Sequence, residues 1–335
     1  MITIKDVAQH AGVSVTTVSH VVNGTRFVSA EARERVQLAI QALNYVPSAL
    51  ARSLKSNRTQ TVGVMIPNNS NPYFAEIIRG IEDACYTAGF NVILCNSDDD
   101  PHKQATYVRL LSEKQVDGLI VLSSGSDAGL LQSLRSATMP LVLVDREIEG
   151  LEADLVEVNH ESGGLLATEH LLQLGHRRIA CIAGPADLSS ARERVQGYRR
   201  ALRQAGLALD DRLLRNADFT SAGGYQAMAS LLAGPAAGWP SAVFACNDLM
   251  AIGALCAIAT QSLRMPQDVS VIGFDDIALA TYSNPPLTTI AQPKHQTGEL
   301  AARLLLQRLV EPGRPPQREI LQPSLRLRRS TGPAA

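Results

Sequence analysis

No run in this 335-residue chain approaches the roughly 18 consecutive apolar residues of a membrane span, and no basic-then-apolar leader stands at its start. A cytoplasmic protein is therefore expected. Cysteine is scarce: Cys85, Cys95, Cys181, Cys246 and Cys256 are the five. They form no CxxC and lie in apolar surroundings, so buried thiols in a reducing compartment are expected. The seven histidines (His10, His20, His102, His160, His170, His176 and His295) make no HExxH and no pair four apart, which leaves a metal centre without visible ligands. Neither GxGxxG nor GxxxxGK with Ser or Thr follows the first strand-like run, where Asn68-Asn69-Ser70 stands instead, and GxSxG is missing. Dinucleotide, P-loop and serine-hydrolase chemistry are disfavoured, so no catalytic residue, cofactor or metal is expected. There is also no simple repeat, no low-complexity segment and no leucine-heptad tail of the kind a coiled-coil tetramer uses.

Charge is nearly balanced overall, at -1, which by itself argues against a polyanionic partner. Its placement is uneven. Residues 1–60 hold seven Lys and Arg against three acids, a surplus of +4, so the remaining chain carries -5. A basic head on an acidic body states which end meets a polyanion. At a prior of about 150 residues per domain, the length suggests two or three domains.

The head begins with IKDVAQHAGVSVTTVSHVVN, residues 4–23. Ile4, Val7, Ala8 and Ala11 recur at the spacing of one buried helix face, Gly12 supplies a tight turn, and Ser14 is placed to cap a second helix. That helix buries Val18, Val21 and Val22 and leaves Val15, Thr16, Thr17 and His20 on a short, neutral, hydrogen-bonding outer face. Two helices joined by a Gly-containing turn, the second with small polar side chains at its start, are what a major-groove reader requires, because Thr, Val and His can bond base edges or touch a thymine methyl. The alternative is a plain helical hairpin. A third helix opens at Ser29 and closes the head with Ala32, Val36, Ala39, Ile40 and Leu43. After Pro47, the segment SALARSLKSNRT places Leu50 and Leu54 on one face and Arg52, Lys55 and Arg58 every third position. So short a helix is marginal in water, and the competing reading is a basic linker.

From Thr61 onward strand-like runs at 61–66, 90–95, 118–122, 141–144, 178–183, 242–245, 269–274 and 287–291, with a weak one near 213–217, alternate with helical stretches. Continuous apolar strands separated by helices predict parallel sheets covered on both faces, and their number predicts two α/β lobes. Ligands of open parallel sheets lie at the carboxyl ends of the strands. There the chain places Asn71, Tyr73, Phe74, Asp145, Arg146, Arg194, Phe219, Asn247, Asp275 and Gln292. Flat aromatic faces combined with groups that form paired hydrogen bonds suit a sugar, with its C–H faces and vicinal hydroxyls.

From end to end the chain resembles the LacI family of bacterial transcriptional regulators. The resemblance is carried by IKDVAQHAGVS and TVSHVVNGTRFVS, by NYVPSALARSLKSNRT, by NPYFAEIIRGIE and VDGLIVL, and by VFACNDLMAIGAL, PQDVSVIGFDDI and PPLTTIAQP. Within the family it is purine-repressor-like overall and most similar to ribose-operon repressors. The resemblance implies a helix-turn-helix head at 1–46, a hinge helix at 47–60, and a two-lobed, periplasmic-binding-protein-like domain at 61–335. Lobe 1 would take about 61–160 and 292–320, lobe 2 about 161–291 and 321–335. It further implies a homodimer on a palindromic double-stranded DNA operator. Val15, Thr16, Thr17 and His20 would read bases and Lys5 and Arg26 would contact phosphate. Ala51 and Lys55 would face the minor groove and Leu54 would wedge between base pairs. Ribose or a related pentose in the crevice would release the operator. Leu188 and Ser190 stand where the purine-repressor pattern puts an arginine and a threonine, which points away from a purine, whereas Asp145-Arg146 follows the sugar-transport pattern. The rival classes are a purine- or other sugar-responsive corepressor-type switch, a solute-binding transport component and a sugar-modifying enzyme.

Overall fold

Caps set the limits of the head's helices. Thr3 and Asp6 form a capping box at the start of α1 (Ile4–Ala11), and Gly12 ends it in the left-handed region at φ 63°. The Ser14 side chain accepts the Thr17 N–H to open α2 (Val15–Asn23), and the Ser29 side chain accepts the Ala32 N–H to open α3 (Ala30–Ala42). Val7, Ala8, Ala11, Val18, Val36 and Ala39 make the core. Val21 and Val22, expected inside, are only half-buried, because three short helices offer too little surface to enclose every valine.

In this computed structural model, residues 2–46, 58–122 and 127–334 are described, and they divide into two units between Thr59 and Gln60. Ala51, Leu54 and Lys55 lie outside the described residues. No helix among the described residues is long and apolar enough to cross a membrane.

The second unit is built on two six-stranded sheets. The first orders β11 (Arg318–Leu321), β5 (Asp154–Val158), β4 (Leu141–Val144), β3 (Gly118–Leu122), β1 (Thr61–Ile66) and β2 (Asn91–Asn96). The second orders β12 (Ser324–Arg326), β10 (Thr288–Ala291), β9 (Ser270–Asp275), β8 (Ala242–Ala245), β6 (Ile179–Ala183) and β7 (Leu214–Asn216). All pairings are parallel except β10 with β12, so the expectation of parallel sheets needs one antiparallel edge. The helices are α4 (Pro72–Thr87), α5 (Pro101–Glu113), α6 (Asp127–Arg135), α7 (His160–Gln173), α8 (Ser189–Gln204), α9 (Ser221–Leu231), α10 (Asp248–Thr260), α11 (Ala278–Tyr282) and α12 (Lys294–Val310).

Three strands escaped the periodicity: β5, β11 and β12. Their runs DLVEV, REIL and SLR are short and carry charge. The charge in β5 is used internally, since the fully buried Asp154 accepts from Arg308 at 2.7 and 2.9 Å, from Arg314 at 2.7 Å and from the Gln317 N–H at 2.8 Å. Those bonds satisfy a carboxylate that would otherwise be costly to bury, and they hold the returning chain beside β5. The chain crosses between the sheets three times: from β5 into α7, from β10 into α12, and from β11 to β12. Of the cysteines, Cys85, Cys95, Cys181 and Cys246 are buried but Cys256 is exposed. It sits on the outward side of α10, where the apolar neighbours read in sequence do not reach it.

Helices pack in three close pairs, and each pair meets at two facing glycines: Gly80 and Gly298 between α4 and α12, Gly164 and Gly197 between α7 and α8, Gly224 and Gly253 between α9 and α10. A methyl group at any of the six would overlap a backbone carbonyl of the partner helix. These contacts fix how α4, α8 and α10 enter the crevice between the sheets.

Candidate functional site

The side chains past the strand ends converge on one cleft. After β1, the Asn71 side chain accepts the Tyr73 N–H at 3.0 Å and caps α4, with Pro72 in the first turn. Tyr73 is thereby buried in the cleft floor, edge-on to Phe74 with centroids 5.1 Å apart. Its hydroxyl lies 3.4 Å from Asp145 Oδ1, just past β4, and 3.3 Å from Gln292 Oε1, just past β10. From the second sheet's side comes Arg194, on α8 and 4% exposed. Its Nη1 donates to the Cys246 carbonyl at 2.5 Å and stands 3.6 Å from Asp275 Oδ1. Its guanidinium lies 4.0 Å from the Phe274 ring centroid and 5.8 Å from that of Phe219. Stacking of a desolvated guanidinium on an aromatic face is worth about 2 kcal/mol.

His160, the first residue of α7, closes the circuit. Its Nε2 is 2.8 Å from Asp145 Oδ1, and Arg194 Nε donates to its Nδ1 at 3.4 Å. Gln292 Nε2 donates to Asp275 Oδ1 at 2.7 Å. Tyr73, Asp145, His160, Arg194, Asp275 and Gln292 thus form a continuous polar ring under the cleft, and nearly all of it is buried. Three residues that aim side chains here, Asp145, Phe219 and Asp275, hold positive φ values of 76°, 63° and 113°. Non-glycine residues enter that region at a cost, and such strain concentrates at functional sites. Phe219 is held partly by Asn247, whose amide donates to the Phe219 carbonyl at 3.0 Å while its oxygen caps α10 at the Met250 N–H.

Burial would raise the Asp145 carboxyl, but the His160 ring, the Arg194 guanidinium and the Tyr73 hydroxyl more than offset it, and Asp145 titrates below its ordinary value. In Asp275 burial wins over Arg194, Gln292 and Lys294, and its carboxyl is pushed up to about 6. Tyr73 is held well above its usual range, first by burial and then by the two carboxylates. Asp248, next to Asn247, faces elsewhere: it accepts from the Ile277 N–H at 2.8 Å and the Thr289 hydroxyl at 2.5 Å.

The cavity above the ring holds about 320 Å³. Asn71, Tyr73, Phe74, Asp145, Arg194, Phe219, Asn247 and Asp275 line it. Gln292 does not reach the wall but supports two residues that do, whereas Arg146 is half-buried and outside the lining. Asp99 and Asp218 join the wall, with Asn68, Leu188 and Ser190. The lining therefore carries four carboxyls and one guanidinium. His160 and Asp99 were missed in the sequence. His160 stands two residues past β5, so reading that strand would have put it among the strand-end residues. A larger groove of about 920 Å³ runs along the outer faces of α4 and α12; His295 and Asp83 meet across it at 2.9 Å, and none of the site residues expected from the sequence lines it.

In the head, Lys5, Val15, Thr16 and Arg26 are exposed, while Thr17 and His20 are half-buried. The Thr17 hydroxyl lies 2.8 Å from that of Ser14, and His20 Nδ1 lies 2.8 Å from the Thr25 hydroxyl. The structure thus puts Val15, Thr16, Thr17 and His20 on one capped, oriented helix.

Comparison with known proteins covers both units. Residues 3–48 match the model of bacterial regulatory proteins of the lacI family, and residues 168–331 match a periplasmic binding protein-like domain. The chain is 45% identical over 310 residues to the HTH-type transcriptional repressor PurR of Aliivibrio fischeri (strain MJ11), covering 92% of each chain. It is also 45% identical over 326 residues to the ribose operon repressor of Escherichia coli (strain K12), covering 97% of this chain and 98% of that one. Among solved structures, the lac repressor dimer bound to operator and the anti-inducer ONPF is similar with a TM-score of 0.90, at 31% identity over 99% of both chains. A LacI family transcriptional regulator from Enterococcus faecium with bound ribose matches at a TM-score of 0.74 and 34% identity, over 82% of this chain and all of the other. With a capped helix-turn-helix head, two lobes enclosing a polar cleft, and relatives this similar along nearly their whole length, the chain belongs to the LacI family of DNA-binding transcriptional repressors.

Proposed function

We propose that the chain represses transcription as a homodimer on a palindromic operator and that a neutral sugar, ribose or a related pentose, binds the cleft and releases it. The observation that carries the sugar assignment is the lining itself: Phe74 and Phe219 offer flat faces, and Asn71, Asp145, Arg194, Asn247 and Asp275 surround them with groups that form paired hydrogen bonds. The carboxyl surplus disfavours a phosphorylated ligand. Leu188 and Ser190 occupy the wall where the purine-repressor pattern places an arginine and a threonine. A ribose operon repressor among the relatives and a related regulator with bound ribose support the same reading. Binding, not turnover, is proposed, because each buried carboxylate in the ring is already engaged by His160, Arg194 or Gln292. The ring draws residues from both lobes, so an occupant that bonds to it favours one lobe orientation. A ligand shifts such an equilibrium only by its differential affinity for the two states.

Calorimetric titration against pentoses, hexoses and purines, paired with band shifts over a range of ribose concentrations, tests the proposal. Ribose should bind and operator complexes should dissociate. Tighter operator binding on adding sugar would make the molecule a corepressor-type switch, and binding of a purine in place of every sugar would overturn the assignment.

Acid should weaken the effector. Sugar hydroxyls donate to the ionised form of Asp275, which exists above about 6. Affinity should be full at neutral pH and fall as the pH drops through that value, and the dependence should shrink in Asp275→Asn. Titrations at pH 5 and pH 7.5 check the sign. Leu54→Ala should weaken operator binding and leave sugar affinity unchanged, since the resemblance places Leu54 as a minor-groove wedge. Unchanged operator affinity in that variant would refute the wedge.

A further inference from the structure

His160 stands where the chain first leaves one lobe for the other, two residues after β5 and at the start of α7. Its backbone belongs to the crossover: Asn159 before it donates its N–H to the Leu321 carbonyl at 3.0 Å, as a strand residue would, and caps α7 through its side chain. Its ring is 1% exposed and touches a partner from each side, Asp145 beyond β4 and Arg194 on α8. Arginine has donors only, so Nδ1 must accept and Nε2 must carry the hydrogen given to Asp145. The two ring nitrogens are thereby used in opposite senses, one toward each partner. An apolar side chain of similar volume would leave both Asp145 and an Arg194 N–H short of a buried partner.

We propose that His160 is a positioning residue of the effector cleft, a donor–acceptor bridge that holds Asp145 and Arg194 in the mutual placement sugar binding requires and ties that placement to the crossover between the lobes. The proposal rests on the cleft being the sugar site. It is not a contact residue: the cavity wall is made by its two partners, and His160 lies behind them. Glutamine offers one donor and one acceptor on a planar head and can replace the bridge, whereas leucine can only fill its space.

The test uses the full-length protein as wild type, His160→Gln and His160→Leu, titrated calorimetrically with ribose and other neutral pentoses, with band shifts on the operator. His160→Leu should lose about 10- to 100-fold in sugar affinity, the scale seen when hydrogen-bond partners behind ligating groups are removed. His160→Gln should recover most of it. Operator affinity without sugar should be the same in all three. Should His160→Leu fail to fold, His160→Asn, whose amide is too short to span both partners, carries the same expectation. Wild-type affinity in His160→Leu would overturn the bridge alone, and so would equal losses in the Gln and Leu variants, since volume rather than hydrogen bonding would then decide. Failure of the wild type to bind any sugar would overturn the effector reading and this proposal with it.

Discussion

Arg194→Ala should leave operator binding intact and abolish its response to sugar. The guanidinium is buried, stacked on Phe274, bonded to the Cys246 carbonyl and set 3.6 Å from Asp275, so a ligand entering the cleft meets a cation already fixed in place. Truncating a buried charged group that a ligand pairs with costs about 2–5 kcal/mol of binding, which corresponds to roughly 30-fold to several thousandfold in affinity. The fold should survive the change, because Asp275, already raised to about 6, can take up a proton rather than remain a lone buried charge. Lysine should not substitute, since it keeps the charge but loses the planar fork and the stacking. In band shifts the variant should stay on the operator at sugar concentrations that release the wild type. Release at wild-type concentrations would remove Arg194 from the site.

Gly253→Ala should destabilise the second unit by about 2 kcal/mol or more, although alanine is the better helix former by about 1 kcal/mol. The added methyl would overlap the Ser221 carbonyl and crowd the Tyr225 N–H. Both are main-chain atoms of α9, so no side chain can swing aside, and relief requires α9 and α10 to separate. Overpacking of this kind costs about 1–3 kcal/mol and sometimes more, which outweighs the propensity gain. Gly238→Ala, with no atom within 4 Å of the new methyl, should stay within about 0.5 kcal/mol of wild type. Urea unfolding of the three proteins decides the matter, and equal midpoints would show that α9 and α10 do not approach as closely as described.

Much of this molecule is written in local pattern. The spacing of Ile4, Val7, Ala8 and Ala11, the Gly12 turn and the Ser14 cap define the head, because helix starts and stops depend on residues within one turn of each other. Uninterrupted apolar runs such as TVGVMI and GLIVL mark central strands, since a strand covered on both faces has no polar side to show. The residues following those strands yielded eight of the cavity's lining side chains. Local pattern falls short where burial depends on distant partners. Strand β5 begins with Asp154, whose charge looks like a surface residue until Arg308 and Arg314, more than 150 positions away, are brought to it. Without β5, nothing in the local pattern marks His160 as a strand-end residue.

The sequence by itself determined the head, the alternation that makes two lobes, the basic-to-acidic division of charge and the residues offered to the cleft, all of which follow from neighbours along the chain. It took the packed molecule to put Asp145 in the cavity wall and leave Arg146 out of it, to spend Asn247 largely on holding Phe219, and to set His160 between the lobes beneath the cleft. These outcomes rest on hydrogen bonds between residues far apart in sequence, and the energy of such bonds depends on burial that no single segment can specify.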